Sequence, residues 1–339
     1  MSIPTLDRRP THNALPLLRS EISRITHRRL FRVLALILLG GIVVVSVFAF
    51  FMHSKAIVED TDLLMKRQAK AAQIWQICVT QVPEGAPENI CGDDPSEQSL
   101  GTFARIDDRY KAYEALPVAV IGVGIAAAGV AFIMGASSGG AEWSSRSMTL
   151  QLLFEPRRLR LLVLKWLGLV ISLVVLAAVA VTVALGLGAI TASVRGTWEP
   201  DFALVDQLQD SFATELALMG ARALVLVAIA ATLGYAIAML VRNTGASLGV
   251  AFVYFVVVEN VVRFALSRYG TEPFMLSTNA AAYLFPGPIP VRGEREAGEF
   301  SFESEIVWLS NLRAFNTLLV YTVLLAVPAA WSFTRRDVG

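Results

Sequence analysis

The chain has 339 residues, 55% of them hydrophobic and only 17% charged, with a mean hydropathy of +0.58. Soluble domains carry about 25% charged residues, so this chain has too few charges to solvate a globular surface and too many apolar side chains for one core. A soluble enzyme, a disordered chain and a nucleic-acid-binding protein are all poor fits, and the net charge of +1 conceals two opposite excesses that cancel.

Residues 1–32 are basic, with seven arginines. Within residues 14–32 the spacing puts Leu18, Ile22 and Ile25 on one helical face with arginines around it. That pattern predicts an amphipathic helix lying in the inner headgroup layer, where basic residues gain about 1 kcal/mol each; a solvated basic tail is the alternative. The first apolar run, Val33–His53, is too long for a signal-peptide core and reads as a retained anchor. Five further runs are long enough to cross about 30 Å of hydrocarbon: Ala115–Ala136, Trp166–Ala192, Leu218–Val241, Ala246–Arg263 and Ala314–Phe333. The fold class is therefore an all-α integral membrane protein with six transmembrane helices and an amino-terminal interfacial helix.

Charge sets the orientation. With the amino terminus inside, segments 1–32, 137–165, 242–245 and 334–339 hold 15 Lys+Arg against 5 Asp+Glu. Segments 54–114, 193–217 and 264–313, on the outside, hold 12 against 22. The positive-inside rule then places both termini in the cytoplasm. The cell membrane is the expected location. Only 5 of the 29 basic residues are lysine, which points to a GC-rich bacterial genome and so to a bacterial inner membrane.

The outer loop 54–114 is acidic, with a helical stretch around Asp60–Val79 and a Pro/Gly-rich tip at Pro83–Pro95. Both cysteines, Cys78 and Cys91, fall in it. An oxidising compartment on that side makes a disulfide between them the expected state, with two unrelated thiols as the alternative. The third outer loop, 264–313, has room for short re-entrant or interfacial helices. A tight inner hairpin, Arg242–Asn243–Thr244–Gly245, joins spans four and five.

Much chemistry is missing. Histidine occurs only at positions 12, 27 and 53, and no Gly-Lys pair exists, so neither a histidine-based catalytic or metal site nor a phosphate-binding loop can be built. The G-x-S-x-G match at Gly135–Gly139 ends a membrane helix instead of joining strand to helix, and is a false match to a nucleophile elbow. Catalytic, metal and cofactor residues are therefore not expected on this chain.

Polar residues inside the spans are few. Glu259, Asn260 and Arg263 lie near the outer end of span five. Glu259 and Arg263 are spaced to share a helical face and pair, either bracing a helix break or touching a substrate path. Arg222, one turn into span four, reads as a snorkelling residue. Small residues at Gly122/Ala126 and Ala131/Gly135 permit close helix contact. Tyr235, Tyr254 and Tyr321 either line a cavity or pack in the core.

The inner loop 137–165 opens with a Gly-rich stretch that predicts a helix stop. A short amphipathic helix carrying Met148, Leu150, Leu152 and Leu153 is expected next, then a break at Pro156 and the basic cluster Arg157, Arg158 and Arg160. Such a helix needs lipid or a partner to cover its apolar side. Here the sequence resembles the permease subunits of ABC-2 type transporters. The likeness lies in Gly139-Gly140-Ala141-Glu142-Trp143, in the approach Pro156…Arg158…Lys165 to the third span, in the terminal Phe333-Thr-Arg-Arg-Asp337-Val, and in the order of parts. One departure is visible: Leu159 stands three residues after the proline, flanked by Arg158 and Arg160.

The resemblance implies ABC-2 topology and an exporter moving a hydrophobic or amphipathic cargo outward. Loop 137–165 would supply the coupling helix that docks on a separate ATP-binding subunit, through Glu142, Trp143, Arg146, Arg157, Arg158 and Arg160. ATP and magnesium would sit on that partner, and a second permease half, identical or different, would complete the assembly. A non-transporting scaffold or sensor is the first alternative. A secondary transporter fits less well, because Glu259 is the one carboxylate inside a span and inverted repeats are not apparent.

Overall fold

Long uninterrupted apolar segments have one stable form where water is scarce, a helix that satisfies its own backbone. The computed structural model follows this rule, and describes residues 14–55, 61–81, 91–98, 109–144, 157–198, 211–266, 269–293 and 306–335. Six of its helices are long and apolar enough to cross a membrane, which makes this a multi-pass, all-α membrane protein. They are α2 (Arg29–Met52), α4 (Ala112–Ser144), α5 (Arg158–Arg195), α6 (Phe212–Val241), α7 (Thr244–Ala265) and α9 (Asn311–Arg335). Shorter helices are α1 (Ala14–Thr26), α3 (Thr61–Gln81) and α8 (Leu276–Leu284).

Most of these helices overrun the apolar runs that predict them, because nothing in a backbone hydrogen-bond ladder stops it at the hydrocarbon edge. Helix α5 starts at Arg158, ahead of the run at Trp166. Helix α4 carries straight through the Gly-rich stretch to Ser144, so the expected helix stop after Ala136 is absent. The reason is packing: a Cβ on Gly135 would lie 2.3 Å from the Ala231 carbonyl oxygen, and one on Gly234 2.2 Å from the Phe132 carbonyl oxygen. The glycines let α4 and α6 touch backbone to backbone. Residues 145–156, with Arg146, the predicted amphipathic helix and Pro156, lie outside the described residues.

Helices α4, α5 and α6 form the centre. Their buried residues include Val120, Met134, Leu169, Leu173, Val227 and Tyr235. Helix α2 adds Leu38 and Ile42 to this core and α9 adds Ala329 and Phe333, but α2, α7 and α9 keep most of their apolar surface exposed: Leu36, Phe48, Val253, Phe264, Val320 and Leu324 are among the exposed residues.

At one end of the bundle, β1 (Tyr110–Lys111) pairs in parallel with β2 (Gly196–Thr197), tying the start of α4 to the end of α5. Arg195 adds α2 to this joint, donating to the His53 carbonyl at 3.2 Å and stacking over Phe50. Helix α3 carries Cys78, which is disulfide-bonded to Cys91. Gln68 donates to the carbonyls of Pro95 and Gln98, and Trp75 to that of Gly92. Beyond α7, a single 3₁₀ turn (Glu272–Phe274) leads into α8, followed by the antiparallel hairpin β3 (Ile289–Arg292) and β4 (Ile306–Leu309).

Helix α8 sits well inside the bundle. Its Leu284 touches Gly124 of α4, and Tyr321 of α9 donates to the Phe274 carbonyl at 2.8 Å.

Candidate functional site

The amino-terminal helix does not simply lie beside the bundle. Gly168 of α5 lacks a side chain where α1 crosses it, and a Cβ there would lie 3.0 Å from Cβ of Glu21. This close crossing buries Ile25 and brings three charged side chains of the amino-terminal segment against the ends of α4 and α5. The chain breaks at His27–Arg28 between α1 and α2, so residues 14–32 are two helices rather than the one expected.

Glu142 is the centre of the resulting cluster. Its Oε1 accepts from Lys165 Nζ at 2.8 Å and from the Arg24 guanidinium, with Arg28 at 3.7 Å. Glu21 pairs with Arg24 at 2.8 Å and with Lys165 at 3.5 Å. Glu142 and Lys165 are both only 4% exposed. Burial pushes the Arg28 guanidinium below its ordinary pKa, and the Glu142 carboxylate opposes that shift. The Tyr235 hydroxyl is buried beside the cluster and finds no hydrogen-bond partner among the described residues. Two carboxylates and three cations thus bind α1, α4 and α5 to one another.

Glu142 faces inward, held by three cations of its own chain. Trp143, next along, also packs inward: its Nε1 donates to Met239 Sδ at 3.3 Å, its ring meets Phe333 edge-on, and Arg242 stacks over it at 4.3 Å. Of the other predicted coupling residues, Arg157 is exposed and Arg158 and Arg160 are half-buried at the start of α5. The sequence alone does not single out Glu21, Arg24, Arg28 and Lys165 as site residues. One signal is there: Glu21 and Asp7 are the only acids among the seven arginines of residues 1–32.

The second polar group lies on α7. Its Glu259 and Arg263 do not pair with each other, as their spacing predicts, but both reach α8. Glu259 is buried and its Oε1 accepts from the Ser277 backbone N–H at 3.0 Å. Arg263 donates to the hydroxyls of Ser277 and Thr278 at 3.2 and 3.3 Å. The π-helical turn just before these two residues, Val253–Val258, rotates the last two turns of the helix as a unit and so sets which way the face shared by Glu259 and Arg263 points. Asn260 serves that turn, its Nδ2 donating to the carbonyls of Phe255 and Val256, each at 3.0 Å. Arg222 does not snorkel freely; it donates to the Phe285 carbonyl at 2.9 Å.

Helix α7 packs on α4 and α6 only through its first nine residues; beyond Ala251, Glu259 alone of its residues is buried. The divergence opens an apolar cavity of 650 Å³ bounded by Gly129, Phe132, Leu233, Phe255, Leu276 and Ala280 among others. An adjoining cavity of 340 Å³ is lined by Tyr254 and Tyr321, whereas Tyr235 belongs to the core. No group of three or more metal-ligating side chains occurs among the described residues. No family model, curated protein or solved structure matches this chain.

Proposed function

We propose that this chain is the permease subunit of an ABC-2 type exporter, moving a hydrophobic or amphipathic substrate outward across a bacterial cell membrane with the help of a separate ATP-binding subunit. Two permease halves, identical or different, and two ATPases form the working unit. ATP and magnesium belong to the partner, and this chain does no chemistry of its own. In this reading both termini and residues 137–165 face the cytoplasm.

The observation that supports it best is the joint made by Glu142, Lys165 and Arg24. Helices α4 and α5 flank segment 145–156, and buried charges fasten their ends to each other and to α1. A force applied by a partner to that segment is shared by three helices at once instead of bending one. Glu142 acts in this scheme as an internal strut, while Arg157, Arg158 and Arg160 supply the charged approach. The energy comes from ATP binding, which favours one state of the partner over the other and so shifts the permease between its two states.

The test is co-expression with a soluble ATPase that has a phosphate-binding loop and is encoded beside this gene, followed by reconstitution into vesicles. The expected result is a stable complex whose ATP turnover needs both chains and rises with an amphipathic cargo. Reversing Arg157, Arg158 and Arg160 to glutamate lowers association. Labelling of cysteines introduced within 137–165 by an impermeant maleimide added outside the cell would overturn the reading.

A further inference from the structure

The wedge between α7 and the α4–α6 pair is too large and too apolar to stay as it is. Water does not settle in a space that offers it no polar partners. An empty void forfeits the dispersion contacts of every side chain around it. The wedge borders the exposed Phe252 and Val256 of α7, so it is open to whatever apolar medium surrounds the bundle. The polar rim is just as specific. Arg263 stands about two turns further along α7 than Phe255 and Val256, which line the wedge. Its guanidinium is exposed, and its partners among the described residues are two hydroxyls. Glu259, the nearby carboxylate, is taken by the Ser277 N–H.

We propose that this wedge is a binding site for an anionic bilayer lipid, with a hydrocarbon chain against Phe132, Leu233, Phe255 and Leu276 and the headgroup phosphate on Arg263. A cation whose partners among the described residues are hydroxyls has capacity for a phosphate oxygen, and a charge-assisted contact is worth more than a neutral one. A second copy of the chain suits the wedge less, because closing the mouth with protein would bury Arg263 without a counter-charge. The inference goes beyond the transport reading and does not rest on it, since binding needs neither ATP nor a partner.

The experiment uses the full chain alone in vesicles of equal parts phosphatidylcholine and phosphatidylglycerol, each tested in turn with a photoreactive acyl chain, with adducts mapped by mass spectrometry. Labelling is expected to concentrate on α7 and α8 around Phe255 and Leu276. It should be about fivefold stronger for the anionic lipid, and Arg263→Gln should abolish that preference while leaving phosphatidylcholine labelling in place. Gly129→Leu fills the wedge without disturbing its neighbours, because a Cβ at Gly129 meets nothing within 4 Å; it should remove the focused labelling for both lipids. Gly122→Leu, equally open but not among the wedge-lining residues, serves as the folding control and keeps it. Adducts spread evenly over α2, α7 and α9, or focused labelling that survives Gly129→Leu, would overturn the site. So would a Phe255→Cys variant that joins two copies of the chain in place of taking up lipid. Failure here leaves the ATPase experiment untouched, and failure there leaves this one untouched.

Discussion

Lys165 and Glu142 stand on different helices, yet Nζ of one lies 2.8 Å from Oε1 of the other with both side chains buried. Charges removed from water are tolerable only when matched, and removing one member of such a pair typically costs about 3–5 kcal/mol. Lys165→Met should fall at the lower edge, about 3 kcal/mol, because Arg24 and Arg28 still face the carboxylate. Glu142→Gln leaves three cations with only Glu21 between them and should be at least as damaging. A double-mutant cycle followed by thermal unfolding in detergent is the check. The pair combined should lose clearly less than the sum, and strict additivity would mean that the two residues do not couple.

The contact between α4 and α6 gives a second, sharper expectation. Gly135→Ala and Gly234→Ala place a methyl group 2.3 and 2.2 Å from backbone oxygens, and backbone cannot step aside as a flexible side chain can. Forcing the helices apart should cost about 1–3 kcal/mol for each. Gly122→Ala, with nothing within 4 Å of the new atom, should instead be neutral or gain up to about 1 kcal/mol from helix propensity. Melting temperatures of the three variants should therefore split in sign.

The same glycines explain what could and could not be read from the sequence. Apolar runs in residues 33–53 or 218–241 are hard to misread, because only a spanning helix uses such a length. Gly139 and Gly140 admit two opposite readings, a helix stop or a place where another helix comes close, and the choice depends on what lies opposite: Ala238 and Thr244, about a hundred residues away in the chain. Glu142 is ambiguous for the same reason, since its three cations come from α1, the α1–α2 break and α5. The π turn in α7 has no compositional mark at all in a run of valines, and it sets the direction of the face that Glu259 and Arg263 share.

The Cys78–Cys91 bond closes a short loop onto α3 and not onto the bundle. Closing a loop of this size is worth about 3 kcal/mol in chain entropy, but that stabilisation is confined to the cap. Cys78→Ser with Cys91→Ser should leave the main thermal transition of the bundle in place while exposing residues 61–98 to protease. Limited proteolysis with and without reductant reads this directly. A large drop in the main transition would show that the cap is part of the core.

Asn260 offers a test of the π turn itself. Wider i→i+5 bonding leaves carbonyls of the preceding turn pointing into apolar surroundings, and here the Asn260 amide satisfies two of them, those of Phe255 and Val256. Asn260→Leu removes both bonds at once. Each orphaned carbonyl costs about 1–3 kcal/mol, so the helix has reason to abandon the turn and continue as an ordinary α-helix. That change rotates Glu259 and Arg263 by roughly a third of a turn relative to Ser277, and α8 loses its anchor. Deleting Val257 is the opposite control: it removes the extra residue that the π turn accommodates, so the helix can become regular with Glu259 kept in register against Ser277. Hydrogen exchange at the Ser277 amide, now held by Glu259 at 3.0 Å, is the readout. It should speed up in Asn260→Leu and stay protected in the Val257 deletion, and protection lost in the deletion would show that the extra residue of the turn does not set the position of Glu259.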